Sequence, residues 1–305
     1  MRNTFVKQLI ERARSDKDLY LLTADLGYKA FENFRDEFPD RFINAGVAEA
    51  NMIGVAAGLA LTGKKVCVYS IIPFLTLRCL EQIRNNICHH NLNVNIVGIG
   101  GGFNYGNQGC SHHTIEDVAV MRALPNMTVL CPGDRVEADL AVRAMFDHDG
   151  PTYIRLGIAG KKTVYDKKPE FVLGRGLLVR DGIDLTLIST GNIIDTVLDV
   201  ADILEQNGLR PRIISMPCLK PIDKRIILRS ALETGKIYTI EENSEIGGLG
   251  STVSDLLVQT SVGVKFKKFA LADKCHIDIG SHQYLKEKKG LGAEYIAGEI
   301  LKRLN

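Results

Sequence analysis

The chain has 305 residues, 45% apolar and 24% charged, and its 38 Lys+Arg against 36 Asp+Glu leave a formal net charge of +2. Such composition excludes disordered and collagen-like classes, and the length predicts about two domains. The balanced charge gives no footprint for nucleic acid or a membrane surface, and seven scattered cysteines with no CxxC exclude a disulfide scaffold or structural zinc site.

The opening MRNTFVKQLIERARSDKD carries charge through every turn, so it reads as a helix over 4–14 and not as a signal peptide. The longest uncharged greasy run, 66–77, is too short to span a bilayer, so a soluble, cytoplasmic protein is expected. Apolar or β-branched runs at 19–22, 66–69, 94–97, 128–130 and 153–156 alternate with helical stretches around 4–14, 47–61, 74–89, 115–124 and 136–146. That alternation predicts right-handed crossovers and a parallel sheet covered on both faces. Asp134 with Glu137 three residues on is a capping-box signature.

The basic stretch that follows Gly160 contains a proline and few apolar residues, so 161–170 reads as a linker between units 1–160 and 171–305. Strand-like runs at 185–188, 212–215 and 237–240 then alternate with helices near 193–206, 224–232 and 252–259, and an amphipathic helix at 293–304 ends the chain. The expected fold is α/β: two doubly wound domains, the second smaller.

Glycine-rich turns at 98–102 and 247–250 lack the third glycine of a dinucleotide fingerprint, since Phe103 and Val253 stand there, and no GxxxxGK[ST] occurs. Cys110 lies two residues from His112, but neighbours in sequence rarely face each other, and free cysteine is usually a small buried hydrophobe. His89-His90 suit a helix end, whereas His112-His113 follow a polar, Gly-rich loop where a functional and a structural reading both stand open. The segment 45–61, AGVAEANMIGVAAGLAL, is small and apolar on every side and so is expected to be buried all round. Glu49 heads it. Either the helix dipole holds an exposed carboxylate there, or an apolar wall holds a protonatable carboxyl whose pKa burial can raise by ~3–5 units.

RFINAGVAEANMIGVAAGLAL, YGNQGCSHHTIEDVAVMRALPNMTVLCPGD and GPTYIRLG resemble the pyrimidine-binding domain of thiamine-diphosphate-dependent transketolases. LISTGN, KPID and IEENSEIGGLGS resemble the transketolase C-terminal domain, so the likeness covers essentially the whole chain in order. No GDG occurs, and GDG with a downstream asparagine is the family's magnesium–diphosphate motif. The chain therefore resembles the smaller subunit of a split transketolase. That resemblance implies thiamine diphosphate, Mg2+ with its ligands on a separate diphosphate-binding subunit, a heterotetramer, and sugar or sugar-phosphate substrates.

The resemblance also implies site roles. Glu49 would donate to the pyrimidine ring nitrogen and favour the imino tautomer. His112 would bond substrate hydroxyls and move protons, Asp25 in TADLG would sit near the aminopyrimidine, and Phe74 would stack on it. Arg155 would take the sugar-phosphate terminus. The pattern departs at Leu77 and Leu80, which replace pocket aromatics, at Gln108, which replaces an aspartate reading a substrate hydroxyl, and at Lys29, which falls near a phosphate-contacting serine. A phosphate-contacting histidine is replaced within Gly98–Gly102. Alternatives are a pyruvate-decarboxylating relative (deoxyxylulose-phosphate synthase-like or 2-oxoacid dehydrogenase beta-like) and a non-catalytic subunit of the same fold.

Overall fold

The computed structural model describes residues 1–157 and 162–304, so the expected boundary at residue 160 and the first linker residue lie outside the described residues. In chain order the first sheet's elements are α1 (Arg2–Ser15), β1 (Leu19–Thr23), α2 (Glu32–Glu37), β2 (Phe42–Asn44), α3 (Glu49–Leu61), β3 (Lys65–Ile71), α4 (Ile72–Leu75), α5 (Leu80–Gln82), β4 (Val94–Ile99), α6 (Asp117–Ala123), β5 (Thr128–Leu130), α7 (Arg135–Asp147) and β6 (Thr152–Leu156). There follow β7 (Leu177–Arg180), β8 (Leu185–Thr190), α8 (Ile194–Gln206), β9 (Pro211–Ser215), β10 (Cys218–Lys220), α9 (Lys224–Thr234), β11 (Lys236–Ser244), α10 (Leu249–Gln259), β12 (Lys265–Leu271), α11 (His282–Lys288) and α12 (Ala293–Leu304).

Seven strands form one sheet in the order β10-β5-β6-β4-β3-β1-β2, and five form another in the order β12-β11-β8-β9-β7. Both are parallel except at one edge each, where β10 and β7 run antiparallel. The molecule is thus α/β with two doubly wound sheets. Strands β4, β6, β8 and β9 are buried along essentially their whole length, because helices cover both faces; parallel strands in that setting carry apolar runs in place of alternation. Strand β10 comes from the later half of the chain yet pairs with β5, so the first sheet is completed by the second unit.

The helix expected over 74–89 is broken. Pro73 starts the single turn α4, then the chain turns at 76–79 and resumes as α5, which runs into a π-helical Ile83–Cys88. Thr76 Oγ1 donates to the Ile72 carbonyl at 2.7 Å and Cys79 Sγ to the Phe74 carbonyl at 3.3 Å, local bonds that compete with a helical ladder. The turn presents Phe74, Leu77 and Arg78 beside the start of α3. The capping expected at Asp134 forms, with the Glu137 N–H donating to its Oδ1 at 2.8 Å, while the Glu137 carboxylate takes the Gly133 N–H at 2.6 Å.

One apolar cluster runs from Met52, Ile53 and Ala56 of α3 through Val68 and Ile96 to Ile214, Met216 and Leu249, so the two units share a core. No helix among the described residues is long and apolar enough to cross a membrane.

Candidate functional site

The carboxyl ends of β1, β3 and β4 open at one edge of the first sheet, the edge where ligands bind in open α/β folds. Glu49 is the first residue of α3 and 2% exposed. Its Oε2 accepts from Arg78 Nη1 at 2.7 Å, and the Arg78 guanidinium lies 4.6 Å from the centre of the Phe74 ring. Phe74 packs edge-on against His112 with centroids 5.1 Å apart, and Tyr105 flanks the same imidazole at 6.1 Å. Ser111 Oγ is 3.0 Å from His112 Nδ1. Residues from three separate stretches thus converge on one wall: a buried carboxylate, an aromatic face and a half-buried imidazole. Glu49 does not face a purely apolar surface, because Arg78, which no sequence motif singles out, neutralises it. Cys79 lies behind this pair, and burial, then the Glu49 charge, push its thiol up to about 12.

Asp25 sits in the left-handed region at φ +51 just after β1. Its Oδ1 accepts from the Tyr28 hydroxyl at 3.1 Å and Asn44 Nδ2 at 3.2 Å, and its N–H donates to Asn44 Oδ1 at 2.9 Å. The same Asn44 oxygen accepts the Gly46 N–H at 3.0 Å, so Asn44 ties the β1 loop to the turn that delivers Glu49. An asparagine closing a strand just before Ala-Gly is the turn signal that could have found it.

The other expected site residues are less convergent. Leu77 is 39% exposed beside the Phe74 turn, and Gln108 is exposed in the loop before His112. Lys29 is exposed at φ +57, its N–H held by Glu32 Oε1 at 2.7 Å, and it reaches none of the residues around Glu49.

Arg155 lies in the interior, between the two sheets. It is 3% exposed: its Nε donates to Asp117 Oδ2 at 3.0 Å and its Nη2 to the carbonyls of Thr114 and Glu242 at 3.1 and 3.0 Å. Asp117 Oδ2 also accepts from the Tyr153 hydroxyl at 2.6 Å. Burial alone would pull Arg155 down, yet Asp117 beside it keeps the guanidinium above its ordinary value. The residue expected at a sugar-phosphate terminus thus forms an interior tie between the two sheets through its Nε and Nη2. Glu242 completes that tie: burial pushes its carboxyl up, but His282 Nε2 at 2.8 Å, the Phe103 N–H at 2.7 Å and Arg155 hold it below the usual range.

Helix α3 is not buried all round in this chain. Met52, Ile53, Ala56 and Ala57 face the core, whereas Asn51, Val55, Gly58 and Leu61 lie open, and a Cβ at Gly54 or Gly58 would meet nothing within 4 Å. Val47, 76% exposed, extends this open face to the mouth of the Glu49 site. Among the described residues no group of three His, Cys, Asp or Glu side chains could hold a metal ion.

Residues 1–157 match the transketolase pyrimidine binding domain family, and residues 174–296 match the transketolase C-terminal domain family. A 6-deoxy-6-sulfo-D-fructose transketolase subunit of Clostridium sp. (strain MSTE9) is 37% identical over 100% of this chain and 95% of its own length. An apulose-4-phosphate transketolase subunit of Phocaeicola vulgatus is 36% identical over 95% of this chain and 94% of its own. A solved structure of a split gene transketolase, an inactive beta4 tetramer, superposes with TM-score 0.88 at 36% identity, covering 99% of this chain and 96% of that one.

Proposed function

The chain belongs to the transketolase family, and we propose that it is the smaller subunit of a two-chain transketolase, the half that grips an aminopyrimidine. Thiamine diphosphate, when bound, supplies the electron sink for moving a two-carbon ketol unit from a ketose to an aldose, both phosphorylated or free sugars. The wall described above fits such a group in chemistry: a carboxyl for a ring nitrogen, an aromatic face to stack on, and an imidazole beside them. The observation that carries the reading is the buried Glu49 carboxylate heading α3 beside Phe74 and His112.

In this reading Glu49 holds a proton at a pyrimidine nitrogen, and its burial excludes water from that proton. Arg78 occupies the carboxylate until the ring arrives. With its side chain 47% exposed, it can withdraw to solvent along the Phe74 face at little cost. Phe74 and Leu77 form the apolar side of the slot, and Asp25, fixed by Asn44, sets the opposite loop. His112 accepts and returns protons at substrate hydroxyls, with Gln108 on the same loop reading a hydroxyl. The open face of α3 receives the diphosphate-binding subunit, which brings the Mg2+ ligands, and the pairs assemble as a heterotetramer.

Co-expression with a diphosphate-binding transketolase chain, followed by pull-down and calorimetry, tests this. A stable complex that binds thiamine diphosphate with Mg2+ and transfers a ketol unit is expected, with no such binding by this chain alone. Tight Mg2+-dependent binding by this chain alone would overturn the two-chain reading. Release of carbon dioxide from pyruvate would move the chain to the decarboxylating relatives.

A further inference from the structure

We propose that His113 is a positioning residue for the His112 imidazole: its Nδ1–H hangs the His112 loop on a strap of the second unit, residues 272–281. The proposal rests on the transketolase reading above. The two adjacent histidines have different neighbours. His112 lies against Phe74 and Tyr105, whereas the His113 ring, 7% exposed, packs edge-on against the buried Phe103 at 5.0 Å. His113 Nδ1 is 3.1 Å from the His276 carbonyl, which accepts and cannot donate, so the ring proton sits on Nδ1. Nε2 is buried without a partner among the described residues, and this tautomer leaves no N–H there to satisfy.

The strap is itself held in place. His276 Nε2 donates to the carbonyl of Ala272, just beyond β12, at 3.1 Å, and Lys288 and Lys289 at the end of α11 clamp Asp278. The loop meets the second unit at two further points. The Gly280 N–H donates to the Gly106 carbonyl at 3.3 Å, and the Phe103 N–H donates to Glu242 Oε1 at 2.7 Å. A Cβ at Gly106 would collide with the Gly280 carbonyl, so glycine lets the two backbones meet. The His112 and His113 N–H groups both donate to the Gly109 carbonyl, at 3.0 and 3.2 Å, so the pair shares one turn. A shift at His113 therefore passes directly to His112. Proton transfer needs hydrogen-bond reach, and a misplacement of about 1 Å can cost ~10²-fold in rate.

The test compares His113→Phe with His113→Asn, each reconstituted with the diphosphate-binding subunit. Phenylalanine keeps a ring against Phe103 and loses the donor, whereas asparagine loses the ring and places an amide N–H where Nδ1 stood. In His113→Phe kcat should fall roughly ten- to hundredfold, with an unchanged Kd for thiamine diphosphate. His113→Asn should recover most of kcat although it unfolds at the lower urea concentration, the reverse of the order that packing alone would give. Undiminished kcat in His113→Phe, or an equal loss in His113→Asn, overturns the proposal. In parallel, 15N NMR of the full chain alone reads the imidazoles. The His113 proton is expected on Nδ1, with His112 ring signals that shift in His113→Phe and return in His113→Asn. A His113 proton on Nε2, or His112 signals unmoved in His113→Phe, overturns it. The tautomer is read on wild type, so it decides even where a variant fails to fold. A chain that shows the tautomer and the His112 shift but never turns over with a partner sinks the transketolase reading and leaves the anchor standing.

Discussion

Replacing Asp117 by asparagine tests whether the Arg155 pair is an interior tie. Asp117 is fully buried, Arg155 is 3% exposed, and their 3.0 Å contact has no solvent to screen it. The isostere keeps the shape but leaves the guanidinium, among the described residues, with the Thr114 and Glu242 carbonyls and the Glu242 charge, and it weakens the 2.6 Å bond from Tyr153. Breaking one side of a buried pair costs about 3–5 kcal/mol. Asparagine still offers an oxygen, so about 3 kcal/mol is the expected loss. That corresponds to roughly 6–12 °C in melting temperature, at about 2–4 °C per kcal/mol for a chain of this class. Urea unfolding followed by circular dichroism reads the loss directly. Arg155→Met should cost a similar amount, and the double variant should cost less than the sum because it removes both charges together. A loss under about 1 kcal/mol in either single variant would refute the reasoning. So would an Arg155→Met chain of undiminished stability whose KM for a sugar phosphate alone rises.

Glu49→Gln should lower turnover of the reconstituted complex by about 10²–10⁴, the usual worth of a positioned proton donor, while the unfolding midpoint of the chain barely moves; retained turnover refutes the role. Gly58→Leu should abolish association with the diphosphate-binding subunit in sedimentation velocity, yet leave the chain's own stability unchanged or up to about 1 kcal/mol higher, because nothing in this chain meets a Cβ there and glycine is a poor helix former; a complex of normal affinity refutes it. His276 gives a pH signature. Burial first, then Lys289, Lys274 and His113, outweigh its bond to the Ala272 carbonyl and hold it below the ordinary 6.5. The unfolded chain therefore takes up this proton first as pH falls, so stability fully present above about 6.5 is lost as pH drops through the folded value. His276→Gln should flatten that slope in urea titrations between pH 7 and 5, and an unchanged slope refutes the assignment.

The strand–helix alternation was legible because strands covered on both faces must be apolar throughout, as VNIVGI and LTLIST are. Strands of three residues, β2 and β10, are too short to carry a period, and β10 pairs with a strand nearly ninety residues away. The break at 76–79 was hidden because apolar spacing persists through it, while the cause is bonding by Thr76 and Cys79 to their own backbone. Glu49 was legible as the lone carboxylate of an apolar helix. Arg78 was not, since only that turn carries it 29 residues back to Glu49. The surroundings of Arg155 were not legible, because a motif match fixes a residue's position in the strand and not the buried Asp117 beside its side chain.

Helix α3 shows a different limit. Its sequence is apolar on every side, yet the folded chain buries only the Met52, Ile53, Ala56 and Ala57 side. An exposed valine or leucine alone would need no explanation. Glycine inside a helix does, because each costs about 1 kcal/mol relative to alanine. Gly54 and Gly58 stand on one face, and neither is required by any atom of the described residues, since a methyl group at either would touch nothing within 4 Å there. About 2 kcal/mol of helix stability is therefore forgone without a reason inside the chain. In the two-chain reading, a second backbone that approaches closer than any side chain would permit offsets that loss, and the pattern in 45–61 would then record burial in an assembly.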